Sequence, residues 1–282
     1  MNYIDREIVR EPSTSNSTAD PFLKWAGGKR WLFRRYRHLF PQDIKRLIDP
    51  FVGGGSSFFY LQPHTAILSD LNSDLMDLYS AVRTHPRTLT RQLVHYHHAH
   101  SESFFYKARG KKPSDPLKKS AWLLYLNRTC WNGLFRVNLR GEFNVPIGTK
   151  KKIFVSIAEL DAAAKSLKRT TLLASDFESV INCAQEGDLI FADPPYFEKA
   201  SAARFLRYNS SVFSWKDQVR LQAALIRASR RGAICFVTNA NHESLIDLYS
   251  GCGTIHRLTR QSVVSGKAKG RRVDQEILVE LK

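Results

Sequence analysis

The sequence has no cysteine pattern of the kind that binds zinc or forms a disulfide framework. Its four cysteines lie far apart in the 282-residue chain and include no C-x-x-C pair; they are Cys130, Cys183, Cys235 and Cys252. Isolated thiols of this kind are typical of proteins that fold in a reducing compartment. The sequence therefore predicts buried free cysteines, no metal site and a cytoplasmic protein.

The sequence also lacks long apolar runs. No stretch approaches the roughly 18 apolar residues that a membrane-spanning helix needs. The N-terminal segment MNYIDREIVREPSTSNSTAD is polar and has no apolar core of a signal peptide. We expect a flexible tail over residues 1–20 and no association with a membrane.

Acidic side chains are scarce as well. The 43 Lys and Arg outnumber the 26 Asp and Glu, which gives a formal net charge of +17. The excess is concentrated in residues 83–152, where 15 Lys and Arg face only Glu102, Asp115 and Glu142. A basic block usually binds a polyanion, and nucleic acid is the first expectation. A merely solvated surface is the alternative, whereas no basic helix has the clean apolar face that membrane binding requires.

Short apolar runs alternate with helical patterns outside the basic block. The runs lie at residues 46–51, 65–70, 170–177, 187–194, 233–239, 254–260 and 275–281. Apolar strands separated by helices predict an α/β domain with a parallel-rich sheet covered on both faces. The last two strands flank SGKAKG and are expected to form an antiparallel hairpin at one edge. The helical pattern of residues 215–230 predicts an apolar face of Val219, Leu221, Leu225 and Ile226.

The alternation stops between about residues 81 and 167, which we interpret as an insertion into the α/β domain. Within it, GEFNVPIG at residues 141–148 predicts a hairpin or a loop. The segment HYHHAH at residues 95–100 has neither regular ligand spacing nor nearby cysteines. We therefore favour an exposed polar helix or a phosphate-facing surface there over a metal site.

A glycine-rich turn follows the first strand, in IDPFVGGGSS at residues 48–57. Gly53, Gly54 and Gly55 permit a close approach of the backbone to a ligand and present N–H groups to an anion. The segment is not the dinucleotide fingerprint, because Phe58 replaces its third glycine. A nucleoside-bearing cofactor with a carboxylate would suit this turn, and a purely structural turn is equally open.

Acidic residues end two further strands. Asp70 is well placed to hold ribose hydroxyls, as in other nucleoside-binding α/β folds. Its alternative role is to cap the next helix, although Asn72 or Asp74 could do that instead. Asp176 with Phe177 could hydrogen-bond and stack a purine, or form a capped turn.

The segment DPPYF places a rigid corner at the end of the strand in residues 187–194. Two prolines fix two φ angles and remove two backbone donors. Asp193 and the carbonyl of Pro194 could accept the two N–H groups of an aromatic amine, with Tyr196 stacked on the base. The alternative is a rigid turn with a capping Asp.

Six segments of the sequence, in this order, resemble those of the Dam-type DNA adenine N6-methyltransferases of the D12 class, alpha group. They are PFLKWAGGK, DPFVGGG, SDLN, LNRTCWNGLFRVNLRGEFNVPIG, SDF and DPPYF. The resemblance runs from Pro21 to about Phe213 and more loosely to Leu281. It implies a class I S-adenosylmethionine-dependent methyltransferase fold, a Rossmann-like α/β fold with a seven-strand sheet. The catalytic domain would comprise residues 21–80 and 168–282, with a helical and hairpin target-recognition insertion at residues 81–167.

The resemblance also implies site residues. The cofactor S-adenosylmethionine would contact Trp25, Ala26, Lys29, Phe51, Gly53, Gly55, Asp70, Asp176, Phe177 and Asp193. Catalysis would fall to Asp193, Pro194, Pro195 and Tyr196. DNA would contact Asn127, Arg128, Trp131, Asn132, Leu134, Arg136, Asn138 and Pro146. For Asn127 and Arg128 the alternative is a buried polar network that braces the insertion.

The implied reaction is direct in-line methyl transfer to adenine N6 in double-stranded DNA, at GATC, with the target base flipped out of the duplex and no metal required. A monomer is the default expectation, because nothing in the sequence indicates an oligomeric state. Methylation of cytosine C5 is excluded, because that chemistry usually displays its thiolate in a Pro-Cys turn and no cysteine here follows a proline. Methylation of cytosine N4, of RNA or of protein amides, and a DNA-binding module without activity, remain as alternatives.

Overall fold

A computed structural model describes residues 19–138, 140–149, 155–196, 213–261 and 273–281. Nearly all of the N-terminal tail that the sequence predicts, and the SGKAKG segment, lie outside the described residues. The chain divides into two compact units. Unit 1 comprises residues 1–37, 53–62 and 72–174, and unit 2 comprises residues 38–52, 63–71 and 175–282.

The strands form one seven-stranded sheet of order β3-β2-β1-β4-β5-β7-β6. They are β1 (Arg46–Asp49), β2 (Thr65–Asp70), β3 (Thr170–Ala174), β4 (Leu189–Ala192), β5 (Ile234–Ala240), β6 (Gly253–Gln261) and β7 (Val273–Leu281). Strands β2, β1, β4 and β5 pair in parallel, whereas β7 runs antiparallel to both β5 and β6. The sheet confirms the predicted α/β fold of the class I methyltransferase type, including the antiparallel pair at one edge.

Two strands are shorter than their apolar runs predict. Strand β3 ends at Ala174 because Asp176 already caps the following helix. Strand β4 ends at Ala192, just before Asp193 and the two prolines, which cannot donate to a sheet ladder.

Unit 2 has its apolar core on the central strands. Every residue of β4 is buried, and Leu47 and Ile48 of β1 have no exposed surface. The ring of Phe40 packs on Phe191 of β4 and Phe236 of β5, with centroid distances of 6.1 and 4.7 Å. These contacts bury strands that the sequence predicts as fully apolar.

The helices of unit 2 are α8 (Phe177–Ile181), α9 (Trp215–Arg230) and α10 (Glu243–Tyr249). The buried face of α9 consists of Gln218, Leu221, Ala224, Leu225 and Ala228. The prediction that Val219 belongs to this face is wrong, because 42% of its surface is exposed. Two residues apart on a helix point to nearly opposite sides, so Val219 and Leu221 cannot share one face.

The helices of unit 1 form a bundle beside β3. They are α1 (Arg30–Arg35), α2 (Ser56–Leu61), α3 (Ser73–Thr84), α4 (Pro86–Ala99), α5 (Glu102–Arg109), α6 (Pro116–Thr129) and α7 (Ile157–Leu167). Helix α6 is its central element, because it is buried continuously over residues 120–127 and packs against α3, α4 and α5. Asp115 caps its first turn and Pro116 occupies the first helical position, where a missing N–H costs nothing.

Two features predicted within residues 81–167 are partly confirmed. The GEFNVPIG segment forms a short antiparallel hairpin, with bridges between Val137 and Phe143 and between Cys130 and Ile147. The HYHHAH segment lies mainly in α4, but it is not a fully exposed helix. Tyr96 stacks on Tyr125 at 4.6 Å, and the Nδ1 atom of His100 lies 2.9 Å from the Tyr125 hydroxyl.

The four cysteines are free thiols. Cys130 and Cys235 are buried as predicted, whereas the prediction is wrong for Cys183, which is exposed, and Cys252 is half-buried. Burial raises the pKa of the Cys130 and Cys235 thiols to about 12. Within the described ranges there is no cluster of three His, Cys, Asp or Glu that could hold a metal, and no helix fit to span a membrane.

Ile48→Ala is expected to lower the free energy of unfolding by about 2–5 kcal/mol, because it leaves a cavity in the fully buried strand β1. Ile234→Ala provides the matched control, since Ile234 of β5 is 36% exposed and should lose less than about 1.5 kcal/mol. Denaturant unfolding of both variants measures the difference. Equal losses would contradict the assignment of β1 to the core.

Candidate functional site

Three acidic residues stand at the carboxyl ends of the parallel strands of unit 2. Asp49 ends β1, Asp70 ends β2 and Asp193 follows β4. Parallel strands present their carboxyl ends at one edge of a sheet, which is where open α/β sheets bind ligands. The structure therefore places the predicted residues Asp70 and Asp193 at the same edge.

The turn after β1 is fixed by hydrogen bonds within unit 2. Asp49 is almost fully buried, and its Oδ1 accepts a bond of 3.0 Å from the N–H of Phe51. The N–H of Val52 donates to the carbonyl of Ser69 at 2.8 Å. This turn thus holds Phe51 beside the end of β2.

Helix α3 is capped by Asn72, whose side chain accepts from the N–H of Leu75 at 3.3 Å. The capping role that the sequence left open for Asp70 therefore belongs to Asn72. The assignment of Asp70 to ribose hydroxyls stays a prediction.

Three aromatic rings cluster in unit 2. Phe51, Phe177 and Phe213 have ring centroids 5.5 to 5.6 Å apart. The guanidinium of Arg220 lies over the Phe177 ring, 4.8 Å from its centroid. Phe51 and Phe177 were predicted from motifs, whereas Phe213 and Arg220 have no local signal in the sequence.

Asp176 forms the capped turn that the sequence left open. Its Oδ1 accepts from the N–H of Glu178 at 3.0 Å and from Arg220 at 2.9 Å. Arg220 also binds Glu178 and Asp217. The guanidinium groups of Arg227 and Arg220 lower the pKa of Glu178. Arg220 therefore fastens both Asp176 and Phe177 to helix α9.

The corner after β4 is held by side chains from three other elements. The Thr238 hydroxyl of β5 donates to Asp193 Oδ1 at 2.6 Å. Gln218 of α9 donates to the carbonyl of Pro195 at 3.4 Å and accepts from Asn239 at 3.0 Å. These bonds hold the carboxylate and the backbone of the corner in one arrangement.

The fourth residue of the corner, Tyr196, donates its hydroxyl to Glu276 Oε2 of β7 at 2.5 Å. Burial raises the pKa of Tyr196, and the negative charges of Asp193 and Glu276 raise it further. The phenol therefore stays protonated at neutral pH and acts as a donor.

Sequence reasoning missed the four residues that support the corner, namely Thr238, Asn239, Gln218 and Glu276. All four are buried polar side chains. The sequence did mark three of them as polar residues at the ends of apolar runs. Thr238 and Asn239 end the run of β5, and Glu276 lies at the start of the run of β7. Their link to the corner could not be read from the sequence.

In unit 1 the glycine-rich turn packs closely on Trp25. A Cβ on Gly53 would lie 2.8 Å from Trp25 Cδ1, and a Cβ on Gly54 would lie 2.9 Å from Trp25 Cβ. The indole also stacks on Phe135, with centroids 5.6 Å apart and planes at 14°. The structure thus brings together Trp25 and Gly53, two residues predicted to contact the cofactor.

The other predicted residues near Trp25 have different surroundings. Ala26 is exposed. Lys29 is buried, and its Nζ donates to the carbonyl of Gly27 at 2.9 Å. Gly55 has a φ of +73°, which a residue with a Cβ adopts only with strain.

Asn127 and Arg128 make contacts that fit a bracing role. Asn127 is 3% exposed; it donates to the carbonyls of Lys24 and Gly133 at 2.6 and 3.1 Å and accepts from the Lys24 N–H at 3.1 Å. Arg128 donates to the carbonyl of Phe22 at 2.6 Å, and burial lowers its pKa. Direct contact of these two residues with DNA stays a prediction.

The remaining predicted DNA residues lie on the turn and hairpin after α6. Trp131 is 51% exposed, and Asn132 is exposed at a φ of +53°. Arg136 and Pro146 are exposed as well, whereas Leu134 and Asn138 are half-buried. The Trp131 N–H donates to the Pro146 carbonyl at 2.9 Å, which ties the turn to the hairpin.

Gly55→Ala is expected to destabilise the protein more than Gly27→Ala. Both glycines have positive φ, which should cost about 1–2 kcal/mol for alanine. Only at Gly55 would the new Cβ clash, 2.6 Å from Tyr79 Oη, which should cost about 1–3 kcal/mol more. Denaturant unfolding measures both. Tyr79→Phe loses the bond that the hydroxyl donates to the Gly53 carbonyl, but it relieves part of the clash, so the losses of Gly55→Ala and Tyr79→Phe should be less than additive in the double variant. Equal losses at the two glycines would contradict this packing.

Asn127→Ala is expected to lower the free energy of unfolding by at least about 1–3 kcal/mol, because it leaves buried backbone groups without partners. Asn132→Gly is the matched control: its side chain is exposed, and glycine adopts a φ of +53° without strain. Its change should stay within about 0.5 kcal/mol. A stable Asn127→Ala protein would argue against bracing and for a role in binding.

Comparison with known proteins places these residues in one family. A family model for the D12 class N6 adenine-specific DNA methyltransferase matches residues 25–264. The type II methyltransferase M1.LlaDCHI of Lactococcus lactis subsp. cremoris is 30% identical over 268 residues, which cover 92% of this chain and 94% of that protein. The type II methyltransferase M.MjaIII of Methanocaldococcus jannaschii is 34% identical over 276 residues, 89% of this chain and 95% of that protein.

A third relative is the DNA adenine methylase of Serratia marcescens, 33% identical over 263 residues, which cover 91% of this chain and 96% of that protein. These matches extend along nearly the whole length of each relative. As its motifs predicted, the chain belongs to the D12 class of N6 adenine-specific DNA methyltransferases.

Proposed function

We propose that this enzyme transfers a methyl group from S-adenosylmethionine to N6 of an adenine that has left double-stranded DNA, at GATC, by direct in-line transfer. The observation that carries the proposal is the corner after β4. There the Asp193 carboxylate, the Pro194 carbonyl and the Tyr196 ring are held together by two prolines and by bonds to Thr238 and Glu276.

The corner suits an exocyclic aromatic amine, whose lone pair is delocalised into the ring and is therefore a poor nucleophile. Asp193 and the Pro194 carbonyl would accept the two N–H groups and stabilise positive charge developing on N6. Because Thr238 and the prolines fix these acceptors beforehand, little reorganisation is needed when the base arrives. The Tyr196 ring would stack on the extruded adenine, which offsets the stacking lost from the duplex.

The residues of unit 2 fit S-adenosylmethionine. Bound there, this cofactor would supply a methyl group on a sulfonium, which the N6 lone pair can displace directly. Asp70 would hold the ribose hydroxyls, and the aromatic cluster of Phe51, Phe177 and Phe213 would face the adenine ring. Both contacts of Asp176 described above fall on Oδ1, so we assign Oδ2 to the cofactor's amino group.

In unit 1 we assign the cofactor's amino-acid end to Trp25, Lys29 and the glycine-rich turn. The positive φ angles of Gly53 and Gly55 let backbone N–H groups face a carboxylate. The buried Lys29, whose Nζ donates to the Gly27 carbonyl, would add a positive charge in the segment that contains Trp25.

We assign DNA binding to the basic segment and to the exposed turn after α6. Arg136 is exposed and suits bidentate contact with guanine, and the exposed Trp131 could stack or wedge beside the extruded base. The 15 Lys and Arg of residues 83–152 would supply phosphate contacts. GATC itself is proposed from the match of the whole recognition segment to the family.

The first experiment measures tritiated methyl transfer onto two duplexes that differ only in that one contains GATC and the other its scrambled form. Label confined to the GATC duplex, recovered as N6-methyladenine, would support both activity and site. Label on both duplexes would overturn the recognition sequence, and label on cytosine would favour N4 methylation. Label on neither, with DNA still bound, would favour a binding module without activity.

Asp193→Ala is expected to abolish methyl transfer, at least about 1000-fold in kcat, because it removes an acceptor aimed at the developing charge. DNA binding, measured by fluorescence anisotropy, should change little. Asp43→Ala is the matched control, since Asp43 is an exposed carboxylate of the same unit. Retained turnover in Asp193→Ala would mean that another group activates N6.

A further inference from the structure

Strand β7 contains a buried carboxylate for which packing alone gives no reason. Glu276 is 5% exposed and precedes Ile277, Leu278 and Val279, which have no exposed surface. Burial of a carboxylate is costly unless hydrogen bonds compensate for the lost water. On the same strand Gln275 is exposed and Glu280 is half-buried, so these two polar side chains do not share the burial of Glu276.

This carboxylate accepts a hydrogen bond from the phenol of Tyr196, 2.5 Å away. The two residues are 80 positions apart in the chain, and Tyr196 lies three residues beyond Asp193. The pKa of the phenol is raised, so Tyr196 stays protonated and donates a hydrogen bond to the carboxylate of Glu276.

The two functional side chains of the corner are bound by two neighbouring strands. Asp193 is bound by Thr238 of β5, whereas Tyr196 is bound by Glu276 of β7 and also by Thr238. Strands β5 and β7 are antiparallel neighbours, with Thr238 opposite Leu278 and Ala240 opposite Glu276. Both anchors therefore belong to one hydrogen-bonded strand pair, which fixes the carboxylate relative to the aromatic ring.

We propose that Glu276 is a positioning residue for methyl transfer: it fixes the Tyr196 ring in the orientation that stacks on the target adenine. The inference rests on the proposed function. The hydroxyl of Tyr196 is bound by Glu276, and this bond restrains rotation of the ring about its side-chain bonds. A stacking surface set in advance spares the complex the cost of ordering it when the base arrives.

The experiment is a double-mutant cycle on the full-length enzyme with the GATC duplex, using Glu276→Leu, Tyr196→Phe and the double variant. Leucine is similar in size to glutamate but accepts no hydrogen bond, and phenylalanine keeps the ring but removes the donor. Each single variant should lower kcat by about 10-fold to 100-fold, the range for a hydrogen bond to a charged group. The double variant should be no slower than the slower single one, because both changes remove one bond.

Further measurements separate positioning from general damage. In the single variants, the KM for DNA should change by less than about threefold. The Kd for S-adenosylmethionine, measured by calorimetry, should also change by less than about threefold. Glu276→Gln, which keeps an acceptor oxygen, should recover part of the lost kcat. Glu280→Leu is the matched control on the same strand: Glu280 is half-buried and faces His256 at 3.8 Å, so its kcat should equal that of the wild type.

Independent effects, in which the two losses multiply in the double variant, would overturn the proposal. A Glu276→Leu enzyme as fast as Glu280→Leu would overturn it too. If Glu276→Leu does not fold, Tyr196→Phe alone decides, since an unchanged kcat there would remove the hydroxyl from the mechanism. A wild-type protein that methylates neither duplex would instead overturn the proposed function.

Discussion

The parallel pairing of β2, β1, β4 and β5 is the constraint on which the rest of unit 2 depends. These strands are short and largely buried, so their backbone groups must be satisfied by neighbouring strands. Because parallel strands share one direction, their carboxyl ends meet at one edge. Asp49, Asp70 and Asp193, together with Thr238 and Asn239 of β5, therefore stand at this edge without any further arrangement of the chain.

The corner after β4 combines local rigidity with support from a distance. The prolines restrict the backbone of the corner, but they do not determine where a carboxylate or a phenol points. Thr238, Gln218 and Glu276 supply that direction through hydrogen bonds. Buried polar groups of this kind destabilise a core unless they are satisfied, and here each one has a partner in or next to the corner.

In unit 1 too, some side chains hold the backbone in place while a neighbouring turn exposes others. The buried Asn127 and the half-buried Arg128 donate to the backbone carbonyls of Lys24 and Phe22, and Asn127 also holds the turn that follows α6. That turn leaves Trp131 and Asn132 exposed. A turn braced in this way loses little conformational freedom when it binds, which would suit the DNA contacts that we propose for Trp131.

The sequence by itself determined the strands, the helical character of much of residues 81–167 and the polar residues at the strand ends, because these follow from apolar periodicity and local turn chemistry. Helical periodicity could also have excluded Val219 from the buried face of α9. The sequence could not determine which hydrogen bonds Asn127 makes. Nor could it connect the corner with Thr238, Gln218 and Glu276, which lie 45, 23 and 80 residues from their partners. Only the tertiary structure decided these contacts, since sheet order and helix packing bring distant side chains together, whereas local sequence preferences act over a few residues.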